Sequence, residues 1–306
     1  MDLGARLQCD IPPGLTGEEQ SLALLTCLRN ATADELITQI HKLTVQDYNS
    51  DIIFEPVSGD AFGVLPQPPN VLADNYTSMV PIPAIFGWST NDSSWTIADP
   101  DDKGEDYDKF LLFVKSVIAR IYPGKVDTML EKVLEIYNVT DPTELSPYDV
   151  RSIDAVLRTD LEMESFIVKE ARQFSKFAAG TFAPAKTFVY QYDHRPSYNT
   201  DPLWQGVRHM DEAGMVLGLP NGQNPLTYPV TSEDDRTVSE LMTTMWSNFA
   251  KFGDPTPEPL GGVKWPEFGH TSDHQGLLVI RPELEVKEYV RNDPVVFWTG
   301  SSGLDD

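Results

Sequence analysis

Cys9 and Cys27 are the only cysteines in this chain of 306 residues, too few for a disulfide framework. By residue type alone they read equally as one bridge or as two separate thiols. No run of about 18 apolar residues occurs, so no membrane-spanning helix is expected. No basic segment followed by an apolar core opens the chain, so no signal peptide is read at Met1. Positive charge is scarce: 23 Lys and Arg stand against 47 Asp and Glu, a net charge of −24. Such a field repels phosphate backbones and anionic lipid, which argues against a nucleic-acid partner. Its plain role is solubility, with attraction of cationic ligands as the alternative. There is no His-Glu-x-x-His, no paired-Cys motif and no Gly-rich phosphate loop after a strand, so neither metal nor cofactor is expected. Gly-x-Ser-x-Gly is absent as well. Gly87-Trp88-Ser89 begins it but continues Thr90-Asn91, and no other serine has the strained strand-to-helix setting that presents a nucleophile.

The chain does have enough apolar material for a large core, at 41% hydrophobic residues, arranged as one large domain or two small ones. Residues 1–45 read as largely helical. Thr16-x-x-Glu19 and Thr32-x-x-Glu35 are capping boxes, each followed by apolar residues at helical spacing: Leu22, Leu25 and Leu28, then Leu36, Ile37, Ile40 and Leu43. Phe54-Glu55-Pro56-Val57 breaks that pattern, and Pro66, Pro68 and Pro69 predict a loop over 66–70. Ala84 to Trp88 is an apolar strand of the kind buried on both faces, with Pro83 tolerated only at its start. Asp99 to Asp108 reads as a solvated acidic loop. Two helices follow, through Phe110–Ile121 and Leu130–Tyr137. Residues 147–178 are mostly helical, with Phe166, Ile167, Phe174 and Phe177 as buried candidates. Thr187 to Tyr192 is a strand by its aromatic and β-branched content. Val238, Leu241, Met242, Met245, Trp246 and Phe249 form a helical core stripe closed by Gly253 and Pro255. Leu277 to Ile280 is a late strand, and Gly300 to Asp306 a frayed tail.

Two stretches carry chemistry. Ile85-Phe86-Gly87-Trp88-Ser89-Thr90-Asn91-Asp92 is an apolar strand breaking into a polar loop that ends in a carboxylate. Gly206-Val207-Arg208-His209-Met210-Asp211-Glu212 places a histidine after the strand at 187–192. A carboxylate and then a histidine, each just after a strand, make two thirds of a Ser–acid–His constellation in α/β-hydrolase order. His209 would be the base and Asp92 the acid that orients it. His194 ends its strand and packs there, while His41, His270 and His274 read as structural. Asp101, Asp102 and Glu105 are poorer acids because they sit in a charge run.

The histidine stretch resembles that of type-B carboxylesterases and cholinesterases, Gly-Val-x-His-x-x-Glu followed by an apolar run. Gly206, Val207, His209, Glu212, Val216, Gly218, Leu219 and Pro220 carry the match. Gly87 and Asp92 resemble the family's Gly-Val-x-x-Asp-Glu-Gly segment, although the family more often has Glu where Asp92 stands. Trp246 to Pro255 resembles Trp-x-Asn-Phe-Ala-x-x-Gly-x-Pro, and Trp265-Pro266 and Phe297-Trp298 look like closing signatures.

The resemblance implies an α/β fold, the C-terminal part of an α/β-hydrolase, with a mostly parallel sheet flanked by helices. Residues 1–306 are then a partial domain without the family's nucleophile and Gly-rich oxyanion loop, which lie upstream of the match. It implies a carboxylic-ester hydrolase acting on a small-molecule ester. As given, the chain is expected to be inactive, either as a truncated hydrolase or as a short binding product. The second possibility is like the family's non-catalytic adhesion members and would have a protein partner. The Cys27-Leu28-Arg29 context implies that Cys9 and Cys27 pair, a bridge worth about 3 kcal/mol in the chain-entropy model. Sequons at Asn30, Asn75, Asn91 and Asn138 fit an extracellular or secretory location, though a glycan on Asn91 would obstruct the acid. Trp95 would face a substrate or simply pack. Ser50 to Ile53 lacks the aromatics of a cholinesterase acyl pocket, which favours a general carboxylesterase.

Overall fold

A computed structural model describes residues 2–42, 58–59, 63–74, 80–139, 141–181, 185–219, 232–271, 275–289 and 291–300. Leu43, the 50–57 segment, Asn75, Thr140, Pro220, His274 and the tail from 301 lie outside them. The chain divides into two units, residues 1–72 and 73–306.

The first unit is helical, with α1 (Asp2–Arg6), α2 (Gly17–Asn30) and α3 (Ala33–Lys42). Both capping boxes form. The backbone N–H groups of Glu19 and Glu35 donate to the hydroxyls of Thr16 and Thr32, and each glutamate accepts the threonine N–H in return. Each box thereby satisfies amides that the first turn of a helix leaves unpaired. Cys9 and Cys27 are bridged, joining the segment after α1 to α2. The expected loop over 66–70 is corrected in part. Pro69 opens the short helix α4 (Pro69–Asp74), because the first helical position needs no N–H.

The second unit is a four-stranded sheet among helices. Strand β1 (Ala84–Ser89) leads to α5 (Tyr107–Ile121), α6 (Val126–Ile136), α7 (Pro147–Thr159) and α8 (Ser165–Ala179). Then come β2 (Thr187–Tyr192), the single turn α9 (Ala213–Val216), α10 (Glu233–Phe252), β3 (Gly276–Ile280), β4 (Glu285–Glu288) and α11 (Asn292–Thr299). Strand order is β1-β2-β3-β4; the first three are parallel and β4 is antiparallel. Side chains alternate across a strand, so β2 serves two cores. Phe188, Tyr190 and Tyr192 pack with Val238, Met242 and Met245 of α10 and with Trp265. Val189 points the other way, into a cluster with Trp88, Val168 and Ala171 of α8, Leu277 and Val295. Helices thus cover both faces, as a largely parallel sheet requires. A third cluster joins α5, α6, α7 and α11. Among the described residues no helix is long and apolar enough to cross a membrane.

Three expectations are corrected here. Ala84 to Gly87 are only half-buried, although Trp88 is covered, because β1 ends the strand order among the described residues. Phe166 is exposed, since α8 turns Val168, Ala171 and Phe174 inward instead. The acidic loop is not simply solvated: Asp99 and Glu105 are buried. Asp99 accepts the amides of Lys103 and Gly104 and pairs with Arg151. Burial opposes its charge, but these donors outweigh that effect and hold the carboxyl below the usual range. Asp106 then caps α5 through the Lys109 amide. Between α7 and α8 lies a π-helical turn, Asp160–Glu164. Its buried acids bind Arg291, at 2.7 Å from Asp160 and 3.0 Å from Glu164.

Candidate active site

Strands β1 and β2 run parallel in register from Ala84 against Thr187 to Ser89 against Tyr192. Their C-terminal ends therefore lie side by side, and the loops that follow leave the sheet together. Such a sheet end, beyond the carboxyl ends of parallel strands, is where open α/β folds build their sites.

The first loop turns at once. The Asp92 carboxylate accepts the backbone N–H of Ser89 at 2.8 Å, and the Asp92 N–H donates to the Ser89 carbonyl at 3.1 Å. This local turn buries Asp92 and fixes its direction. Ser93 continues inward, its N–H donating to the Thr159 hydroxyl at the end of α7, at 3.3 Å.

The second loop is anchored by Arg195, which donates to the carbonyls of Gly206 at 2.7 Å and Asp201 at 2.5 Å. Gly206 adopts a φ of +62°, a conformation that costs glycine little. Asp211 closes the turn by accepting the Arg208 N–H at 2.9 Å and the Asn199 amide. Burial raises its pKa above the ordinary value.

The two loops are laced together. Asn91 N–H donates to Val207 O at 2.9 Å, Ser94 Oγ to Gln205 O at 2.8 Å, and His209 N–H to Asp92 O at 3.0 Å. Across this seam His209 Nδ1 lies 2.7 Å from Asp92 Oδ1. The Asp92 side chain is 7% exposed and that of His209 44%. The imidazole is thus held from a buried carboxylate on one side and open on the other. Asp92 can fix the ring's tautomer through Nδ1–H and stabilise its charged form, leaving Nε2 as the nitrogen that exchanges a proton.

A further group of the histidine stretch also belongs to the site. Glu212 stands three residues after His209 and receives the Ser89 hydroxyl at 3.4 Å. Burial, and then the charge of Asp92, raise its pKa above the ordinary range. Its contact with Ser89 ties the histidine loop to the end of β1. Its signal was the glutamate of Gly-Val-x-His-x-x-Glu.

The other candidates go elsewhere. His194 lies 2.7 Å from the fully buried Asp235, which also caps α10 with Ser232. Ser89 bonds to Glu212, and Ser93 is fully buried. Trp95 is half-exposed on a short 3-10 turn, and Asp102 pairs with Arg151 at 2.7 Å.

Residues 1–298 match the family described as "Carboxylesterase family". Carboxylesterase 1C of Mus musculus is 26% identical over 290 residues, covering 92% of this chain and 47% of that protein. Neuroligin-3 of Homo sapiens is 26% identical over 299 residues, covering 90% of this chain and 33% of that protein. The chain therefore spans between a third and a half of the length of these curated relatives. The match nonetheless runs through both loops and all four strands, and on it the chain belongs to the carboxylesterase family, an α/β-hydrolase family.

Proposed function

We propose that His209 and Asp92 are the base and the acid of a Ser–acid–His triad, and that residues 1–306 form the C-terminal portion of a carboxylic-ester hydrolase domain. The observation that carries this reading is the 2.7 Å contact from His209 Nδ1 to a buried Asp92, with the imidazole otherwise open. In the reaction a serine hydroxyl attacks the ester carbonyl as His209 takes its proton. The histidine then returns that proton to the leaving alcohol, and Asp92 stabilises the imidazolium in between. The serine and the oxyanion donors are to come from a segment that precedes these residues in the family. The disulfide and the sequons support a secretory location, and the substrate is a small ester.

The test is an assay of a short-chain nitrophenyl ester. The 306 residues alone are expected to give no turnover dependent on His209. The chain joined to a family-type upstream segment is expected to be active, and His209→Ala or Asp92→Asn to lower its kcat by up to about four orders of magnitude. His209-dependent turnover by the 306 residues would refute the missing nucleophile. Equal activity of Asp92→Asn would refute the acid.

A second reading is a non-catalytic binding protein of the same family. The absence of Gly-x-Ser-x-Gly from the chain and the match to neuroligin-3 favour it. The intact acid–histidine contact weighs the other way, because binding alone does not require it.

A further inference from the structure

Four Asn-x-Ser/Thr sequences occur in the chain. Asn75, and Thr140 of the Asn138 sequence, lie outside the described residues. The remaining two, Asn30-Ala31-Thr32 and Asn91-Asp92-Ser93, sit in opposite surroundings.

Asn30 is the exposed last residue of α2. Ala31 leaves the helix in an extended conformation, with φ −74° and ψ 146°. Thr32 is exposed, and its hydroxyl bonds only locally, to Glu35 at 2.7 Å. A group attached at Asn30 Nδ2 would therefore displace no packing or hydrogen bond that holds this turn.

Asn91 is half-buried, Asp92 is 5% exposed and Ser93 is fully buried. Its Nδ2, the atom that would carry a sugar, faces Gly206 of the histidine loop. A Cβ built on Gly206 would come 2.7 Å from that nitrogen and 3.3 Å from Cγ. The Asn91 amide thus fills the space that glycine leaves, at the seam where Asn91 N–H meets Val207 O and His209 N–H meets Asp92 O. A sugar on Asn91 would force the two loops apart and separate Asp92 from His209.

We propose that the folded protein carries an N-linked oligosaccharide at Asn30 and that Asn91, despite the same consensus, stays bare as the spacer between the acid and histidine loops. This rests on the secretory location proposed above. In the transfer, Asn30 Nδ2 forms the bond to C1 of the sugar of a lipid-diphosphate-linked oligosaccharide. The C1–O bond to the carrier breaks, the carrier leaves as its diphosphate, and one amide proton is lost.

The test expresses the 306-residue chain behind a secretion signal in mammalian cells and separates folded from aggregated product by gel filtration. Release by a peptide amidase that hydrolyses the glycosylated side-chain amide to aspartate in heavy-oxygen water, followed by peptide mass spectrometry, marks each asparagine that held a glycan. Label is expected at residue 30 and not at residue 91 in the folded fraction. Asn30→Gln is expected to lose one glycosidase-sensitive mobility step, and Asn91→Gln none. Unlabelled Asn30, or label at Asn91 in folded protein, would overturn the proposal. Protein from its natural source, treated the same way, separates the two layers. Label at residue 30 with the added signal but at no sequon in natural material would overturn the secretory location and, with it, the natural modification.

Discussion

The ring of Tyr190 lies across Gly87 on the neighbouring strand. The two are register partners in β1 and β2, and a Cβ at residue 87 would come within 2.1 Å of the tyrosine Cε1. That position lets Tyr190 meet Trp246 and Trp265 edge-on, with ring centroids 5.4 and 6.2 Å away. The strand that delivers Asp92 is thereby keyed to the core beneath α10. Gly87→Ala is expected to push the ring out of this cluster and to destabilise the fold by about 1–3 kcal/mol, the usual cost of overpacking. The denaturant midpoint measures it; an unchanged midpoint would show that the ring moves aside freely.

Met210, immediately after His209, has a φ of +71° and is 62% exposed. Its carbonyl accepts the Ala213 N–H at 3.1 Å, which fixes the turn into α9. A left-handed residue with a Cβ costs about 1–2 kcal/mol, of which glycine would recover a part, because its unfolded chain has more freedom to lose. Met210→Gly is expected to stabilise by about 0.5 kcal/mol and Met210→Val to destabilise by about 1 kcal/mol or more, since branching at Cβ makes that region worse. Chemical denaturation of the pair gives the order directly, and the reverse order would remove the claim of strain.

Glu105 is pushed up to about 8, first by burial and then by the neighbouring Asp154 carboxylate; Arg158 and Lys109 act against the shift. Between the ordinary value of 4.5 and about 8 the folded state holds a proton that the unfolded state has lost. Stability must then fall as pH rises through this window and level off above it. Glu164, raised to about 7 by burial and the neighbouring Asp160, adds a slope of the same sign. Glu105→Gln is expected to flatten the fall between pH 4.5 and 8 without abolishing it. Urea titrations at several pH values check this, and an unaltered slope would assign the whole effect elsewhere.

The Cys9–Cys27 bridge spans 18 residues of sequence. A loop of that size corresponds to about 3 kcal/mol of lost unfolded-state entropy. Cys27→Ser is expected to lower the stability of the helices within residues 1–42 by about that amount and to leave the sheet's unfolding midpoint nearly unchanged. Hydrogen exchange on these helices and on the sheet separates these effects. Equal loss of protection in both would show that the bridge supports more than its own loop.

Local chemistry was legible in the chain itself. The capping boxes at Thr16 and Thr32, the strands read at 84–88, 187–192 and 277–280, and the α10 stripe follow from composition, periodicity and end signals that act over a few residues. The acid and histidine stretches were legible too, Asp92 as the carboxylate ending a strand-to-loop break and His209 through the resemblance of Gly-Val-x-His-x-x-Glu to the family's histidine segment. Only the tertiary structure brought Asp92 and His209 to 2.7 Å across 117 residues, because strand order and register are set by which faces bury together, and no local signal carries that. It also decided that Asp99 and Glu105 are buried: a run of acids reads as solvated until Arg151 and Asp154 arrive from α7. The antiparallel β4 has no local signal, because Glu285-Val286-Lys287-Glu288 has no apolar alternation beyond a single valine, and it is held by pairing with β3. Sequence thus determined which side chains could do the chemistry, and the packing of parallel strands decided which of them meet.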